Sequence, residues 1–323
     1  MARTRLGFDI GSNSMKVAVL RGGALRMEEV RLPEKMVDGN GNITLPHAFV
    51  QFLKQQKKEL SLGRGPVSLV LPPSQVICRL VTMPKMTTAQ LMMNLPYEFT
   101  DFIQGAADQY YCDYALCTSV EGEEGVPMMA AVSAKQTLAE YAQMFSRAGL
   151  RLKTILPQEM ALINLVKGLG EGPEEFCFVD LGHQSTRITV VWRDRVQATR
   201  QIALGGRNLD LVVADGLGVD AFLANTYKIG DYQNVLDDQA VADVCDRIAV
   251  EILKMINFYQ FTYRSSSLDG IYLIGGGAAL SCLRKAIEDT VGLPVLSPDH
   301  LLPGVGERAA AGIFAAGAAW GGK

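Results

Sequence analysis

Leu6-Gly7-Phe8-Asp9-Ile10-Gly11-Ser12-Asn13-Ser14-Met15-Lys16-Val17-Ala18-Val19 decides the fold, because it returns as Phe178-Val179-Asp180-Leu181-Gly182-His183-Gln184-Ser185-Thr186-Arg187-Ile188-Thr189-Val190, 171 positions on from Asp9 to Asp180. Each copy is an apolar strand, an Asp-x-Gly turn of small polar residues, and a second strand rich in Val and Ile. One such turn is an ordinary hairpin, since Gly, Asn and Ser are the usual turn formers. Two of them predict two related half-molecules facing each other, with a cleft that would hold a phosphate chain. A turn between strands leaves backbone amides outside the ladder. Aimed at one anion they form a nest, in which each charge-assisted bond is worth roughly 1.5 to 3 kcal/mol. Gly11 lets a phosphate approach the backbone, Ser12, Asn13 and Ser14 add polar side chains, and Lys16 reaches the same place if its strand face permits. Asp9 and Asp180 stand at the mouths of the turns, where a carboxylate would hold the waters of a magnesium ion.

At 323 residues the chain suits two domains, and its 48 % hydrophobic content allows a sizeable interior. No run approaches the roughly 18 apolar residues of a membrane span. Met1-Ala2-Arg3-Thr4-Arg5 leads straight into a strand without a signal-peptide core, so a cytoplasmic protein is expected. Cys78, Cys112, Cys117, Cys177, Cys245 and Cys282 sit singly in apolar segments, which reads as buried thiols rather than zinc ligands or disulfides. A net charge of -3 argues against a nucleic-acid protein, and three histidines leave little for a His-based catalytic cluster.

Between the two turns, the pattern predicts a helix over Ala48 to Leu60 and a short strand from Val67 to Leu71. Residues 76 to 150 have their own rhythm of strand, helix, strand, strand, helix, an inserted α+β module. Thr87-x-x-Gln90 and Ser133-x-x-Gln136 read as helix starts, and Pro96 should disturb the first of these helices. A strand at Leu152 to Leu156 and a helix from Gln158 to Lys167 follow, and the Gly-rich turn Gly168 to Glu175 is the expected crossing into the second half. Beyond the second Asp turn, Gly205-Gly206-Arg207 precedes a helix, and Val241, Val244, Ile248, Ile252, Met255 and Tyr259 mark one face of a long one. Gly275-Gly276-Gly277 comes after a buried strand and before a helix, so an adenine or ribose could lie against its backbone. The final helix, from about Glu307, is mostly Ala and Gly and can approach a neighbour closely. No Gly-x-x-x-x-Gly-Lys-Ser/Thr occurs, which excludes a P-loop enzyme, and Gly304-Val305-Gly306-Glu307-Arg308-Ala309 follows a Pro-rich loop, which makes its loose dinucleotide-binding match a false positive.

Taken in order, the first turn, the helix from Gln158, Asp180-x-Gly182-x-x-x-Thr186, Leu204-Gly205-Gly206-Arg207-Asn208-Leu209, Ile274-Gly275-Gly276-Gly277-Ala278 and the small-residue last helix resemble the actin, sugar-kinase and heat-shock-chaperone ATPase superfamily. Within it, the opening Gly7 to Val17 and the module start Arg79-Leu80-Val81-Thr82-Met83-Pro84-Lys85-Met86-Thr87 resemble the FtsA-like PilM family of type IV pilus assembly. The resemblance implies an α/β, actin-like ATPase fold of two duplicated lobes, each a mixed sheet flanked by helices. The first lobe would span 1–75 and 151–172 with 305–323 packing back on it, 76–150 would be the inserted SHS2-type module, and 173–304 the second lobe.

It further implies ATP with Mg2+ between the lobes. Gly11, Ser12, Asn13, Lys16, Gly182 and Thr186 would hold phosphates, Asp9 and Asp180 the metal's hydration shell, and Gly205, Gly206, Lys228, Gly276 and Gly277 the nucleoside. Glu159 falls near the position where relatives carry a residue that orients the attacking water. The implied partner is a PilN-like inner-membrane protein, whose short cytoplasmic N-terminal peptide docks beside the module and so holds the chain at the inner face of the membrane. Two departures stand out. Asn225 replaces the Glu of the family's Ala-Glu-x-x-Lys pattern before Lys228, and His183-Gln184-Ser185 replaces a Gly-Gly-type turn, which predicts slow ATP turnover at most. The alternatives on this fold are a small-molecule kinase, which would need a catalytic base and a polar sugar pocket, and an FtsA-like cell-division filament protein.

Overall fold

In the computed structural model, which describes residues 4–169, 173–263, 268–302, 305–306 and 308–321, the chain divides into two compact units. The first comprises Met1–Gly172, Arg193–Val196 and Gly312–Lys323, the second Pro173–Trp192 and Gln197–Ala311. Gly170, Glu171 and Gly172 of the expected crossing, and Gly304 and Glu307 near the last helix, lie outside the described residues.

The first unit is built on β1 (Thr4–Ile10), β2 (Ser14–Arg21), β3 (Ala24–Arg31), α1 (Pro46–Glu59), β4 (Pro66–Val70), and, beyond the module, α3 (Lys135–Arg147), β8 (Arg151–Leu156) and α4 (Gln158–Gly168). Its sheet runs β3-β2-β1-β4-β8, with β1 antiparallel to β2 and parallel to β4. Strands with parallel neighbours are covered on both faces, which explains the unbroken apolar run Val67 to Leu71 apart from Ser68. Pro46 begins α1, where its missing N–H costs nothing. Phe49 and Leu53 of α1 meet Phe8, Val17 and Leu69 in the core.

The module holds β5 (Ile77–Met83), α2 (Thr88–Asn94), β6 (Tyr110–Leu116) and β7 (Val126–Ala134) in a three-stranded sheet of order β5-β7-β6. Leu91, Leu95 and Phe99 pack on Val81, Met128 and Val132 in a separate small core. Thr87 and Gln90 do form a reciprocal capping box, and the helix stops at Asn94 before the 3-10 turn that carries Pro96. Ser133 does not open a helix: β7 continues through it, its hydroxyl donates to the Gln75 carbonyl at 2.8 Å, and α3 starts at Lys135 without a side-chain cap. Tyr141, Met144 and Phe145 of α3 join the core of the five-stranded sheet rather than that of the module, with Phe145 edge-on to Phe8 at 5.4 Å.

The second unit repeats the plan with β9 (Glu175–Leu181), β10 (Thr186–Trp192), β11 (Arg195–Ile202), α5 (Gly206–Leu217), α6 (Ala221–Ile229), α7 (Gln239–Thr262), β12 (Ile271–Ile274), α8 (Ser281–Val291) and β13 (Val295–Leu296). Its sheet order is β11-β10-β9-β12-β13, so the strands of the two five-stranded sheets, counted along the chain, both lie in the order 3-2-1-4-5. The stripe from Val241 to Tyr259 on α7 is buried against this sheet's core. In the last helix, α9 (Arg308–Gly321), Gly312–Gly321 belongs with the first unit. There the small residues allow near contact: a Cβ on Gly7 would strike the Ala315 carbonyl, and one on Gly317 the Ala161 carbonyl.

Candidate functional site

The two turns are the same object in bond pattern as well as sequence. Gly11 N donates to Ser14 O at 3.0 Å, and Gly182 N to Ser185 O at 3.1 Å. Asp9 faces Lys16 across the first hairpin, and Asp180 faces Arg187 across the second. Among the described residues no hydrogen bond reaches the N–H of Ser12 or Asn13, nor that of His183 or Gln184. Each turn therefore presents two adjacent backbone donors, which is what an anion nest needs.

In the first turn the charges are arranged around Glu29 of β3, which accepts from Ser14 Oγ at 2.6 Å and lies 3.8 Å from Lys16 Nζ. The ammonium sits over Gly11, 3.5 Å from where a Cβ would stand. Asp9, at the end of β1, is buried. Burial pushes its carboxyl above the usual value, Lys16 pulls it back, and Glu29 raises it further.

In the second turn the N-terminus of α5 docks on the loop. Gly206 N donates to Gly182 O at 3.0 Å and Arg207 N to His183 O at 2.7 Å. A Cβ on Gly205 would meet the Gly182 and His183 carbonyls at 2.6 and 2.8 Å, so only glycine lets the backbones come this near. Gly205 and Gly206 thus shape the turn as much as they could face a ligand. Thr186 is wholly buried and its hydroxyl donates to Leu204 O at 2.9 Å, a staple between the hairpin and the glycine loop.

Lys228 is likewise committed. Its ammonium lies 2.6 Å from Asp210 Oδ1 and donates to Gly206 O at 3.0 Å, while Asp210 Oδ2 is 2.9 Å from His183 Nε2. Lys228 and Asp210 are both buried. Asp210, which no sequence motif singled out, ties the second Asp-x-Gly turn to α5 and α6.

Gly275 has φ +81° and faces the Asp180 carboxylate so closely that a Cβ would strike Oδ1. Gly277 is buried on Leu181, whereas nothing lies within 4 Å of a Cβ on Gly276, so that backbone is open to a ligand. Asp180, Gly182 to Ser185, the start of α5 and Gly275 to Gly277 thus gather at the carboxyl ends of the parallel strands β9 and β12, the usual place for a ligand in such a sheet. Glu159, in the first turn of α4 in the other unit, is buried, and its charge contributes to the raised thiol pKa of Cys78 after burial itself. Among the described residues no group of three or more His, Cys, Asp or Glu side chains could hold a metal unaided, and no helix is long and apolar enough to cross a membrane.

Two lobes with the same strand order and the same turn define the actin-like ATPase class of fold. Solved structures with this fold include a PilM-PilN type IV pilus biogenesis complex (TM-score 0.79, 22 % identity, covering 98 % of this chain and 97 % of that one). They also include the ethanolamine utilization protein EutJ from Carboxydothermus hydrogenoformans (TM-score 0.59, 16 % identity, 98 % and 89 % covered) and MreB 5 of Spiroplasma citri bound to AMPPNP (TM-score 0.51, 13 % identity, 93 % and 92 % covered). The family model of the type IV pilus assembly protein PilM matches residues 7–299, and the chain belongs to that family.

Proposed function

We propose that this chain is a nucleotide-binding scaffold of type IV pilus assembly that docks the cytoplasmic N-terminal segment of a PilN-like inner-membrane protein at its three-stranded module. The observation that carries the nucleotide half is the pair of matched turns, each with two adjacent backbone donors beside a carboxylate. The donors suit the phosphates of ATP, Lys16 adds a fixed positive charge, and Gly276 offers open backbone to the nucleoside. Asp9 and Asp180 each stand beside the donors of their own turn, where a carboxylate would hold a Mg2+ ion through its waters. When bound, the ion would neutralise phosphate charge. The partner half rests on family membership and on the module's exposed apolar side chains, Met93 at 75 % and Tyr97 at 71 %, a surface suited to an apolar peptide.

Titration calorimetry tests both halves on the full chain, with Mg-ATP and, separately, a synthetic peptide of the partner's N-terminal segment. Binding of ATP that is lost in Asp180→Ala, and of peptide that is lost in the Met93→Glu, Tyr97→Ala double variant, is the expected result. Wild-type protein that takes up neither ligand would overturn the proposal.

A further inference from the structure

We infer that the end of the first unit opposite the phosphate turn is a docking face for an anionic lipid surface. The sheet register defines that end. Thr4 pairs with Arg21 and Pro66 with Arg151, so the β2–β3 turn and the starts of β1, β4 and β8 all lie there, while Gly11 and Ser14 lie at the other end of β1 and β2. The ends of α1 and α3 come to the same place: Lys57 Nζ donates to Gly149 O at 2.6 Å, just beyond α3, and Arg26 Nη2 donates to Leu60 O at 2.7 Å, just beyond α1.

These elements carry Arg21, Lys58, Arg64, Arg147, Arg151 and Lys153, all exposed. None of the six has an ion-pair partner among the described residues. Of the carboxylates on the same elements, Glu28 stands 3.9 Å from Arg26 and Glu29 3.8 Å from Lys16, while Glu59 and Glu140 accept only from neutral glutamines and keep their charge, so the six cations outnumber the acids left uncompensated. In a chain of net charge -3, six unpaired cations on one end are a segregated field rather than a balanced solvated face.

The form of the field selects the partner. The cations project from a hairpin strand, two helix ends, a loop and an edge strand, so they are spread laterally. Among the described residues none of the six lies over an aromatic ring, the platform that nucleic-acid bases would stack on. Long flexible cations carried on several separate elements suit a diffuse layer of headgroup phosphates. Each Lys or Arg near such a surface strengthens binding about fivefold, and the attraction is screened by salt.

Flotation of the full chain with vesicles tests this, using phosphatidylcholine alone or with one-third phosphatidylglycerol. Wild-type protein should float with the anionic vesicles only, and lose binding as salt rises from 0.05 to 0.5 M. The Lys58→Gln, Arg147→Gln, Arg151→Gln variant should bind on the order of 100-fold more weakly, and the Lys58→Glu, Arg147→Glu, Arg151→Glu variant more weakly still. A control, Lys85→Glu, Lys254→Glu, Lys285→Glu, has the same net charge as the latter on other surfaces and should bind as wild type, with circular dichroism confirming that all three variants fold. Equal loss in the two glutamate triple variants, no preference for anionic vesicles, or binding to polyglutamate or poly(U) but not to vesicles would each overturn the inference.

Discussion

Asp210 and Lys228 form a buried ion pair at 2.6 Å, with their side chains only 2 % and 5 % exposed, and through it the second Asp-x-Gly turn is bound to two helices. Asp210 also meets His183 at 2.9 Å, and Lys228 caps the Gly206 carbonyl. Desolvating two charges costs nearly as much as their attraction returns, so the pair itself adds little net stability. Its removal by halves is another matter.

Asp210→Ala strands the Lys228 ammonium in a site with little water, and should cost about 3 to 5 kcal/mol in urea unfolding. The double variant Asp210→Leu, Lys228→Met removes both charges and should cost clearly less than the single one. Equal costs for single and double variants would show that packing, not the charge pair, holds α5 and α6 to the turn.

Thr186 gives a second test, this time of a hydroxyl. Thr186→Val keeps the shape but leaves Leu204 O without its 2.9 Å donor, a loss of about 1 to 3 kcal/mol. Thr186→Ser restores the donor and should recover most of it. If Val and Ser cost the same in urea unfolding, the hydroxyl is not the staple.

Much of this architecture was legible in the sequence, and the exceptions share a cause. Repetition exposed the two turns, since an Asp-x-Gly pattern between apolar strands is local and recurs at a fixed offset. The capping box at Thr87 was equally local. Ser133 misled because the same Ser-x-x-Gln letters serve in a strand when a neighbouring carbonyl, that of Gln75, takes the hydroxyl. The bonds of Thr186 to Leu204 and of Lys228 to Asp210 and Gly206 join positions far apart in the chain, which no local pattern displays. Asp210 carried no signal of its own: it is one acid in an ordinary helix, and its partners are on a different helix and a turn.

Gly7 should tolerate no side chain. A Cβ there would collide with the Ala315 carbonyl and stand 2.8 Å from Ala319 N, so Gly7→Ala must push α9 away from β1. Overpacking of this kind costs about 1 to 3 kcal/mol. Gly216 is the counterpart: it lies in α5 with nothing within 4 Å of a Cβ, and Gly216→Ala should stabilise by about 0.5 to 1 kcal/mol. Thermal melts of the two variants should therefore shift in opposite directions, and shifts of the same sign would refute the close packing of α9.

Asp9 makes stability depend on pH in a direction that can be checked. Burial raises its carboxyl above the ordinary 3.8, with Lys16 opposing and Glu29 adding to the rise. A carboxyl held higher in the folded chain than in the unfolded one favours folding below its unfolded pKa, and that contribution is lost as pH rises through the folded value. Above that value the charged Asp9 sits in a site that resists charge. Asp9→Asn should then unfold at a higher urea concentration than wild type at pH 7, and the difference should close below about pH 4, where wild-type Asp9 is itself neutral. Paired urea curves at pH 7 and pH 3 decide it: no gain at pH 7, or a gain that persists undiminished at pH 3, would mean that Asp9 is not held against its charge by the surrounding fold.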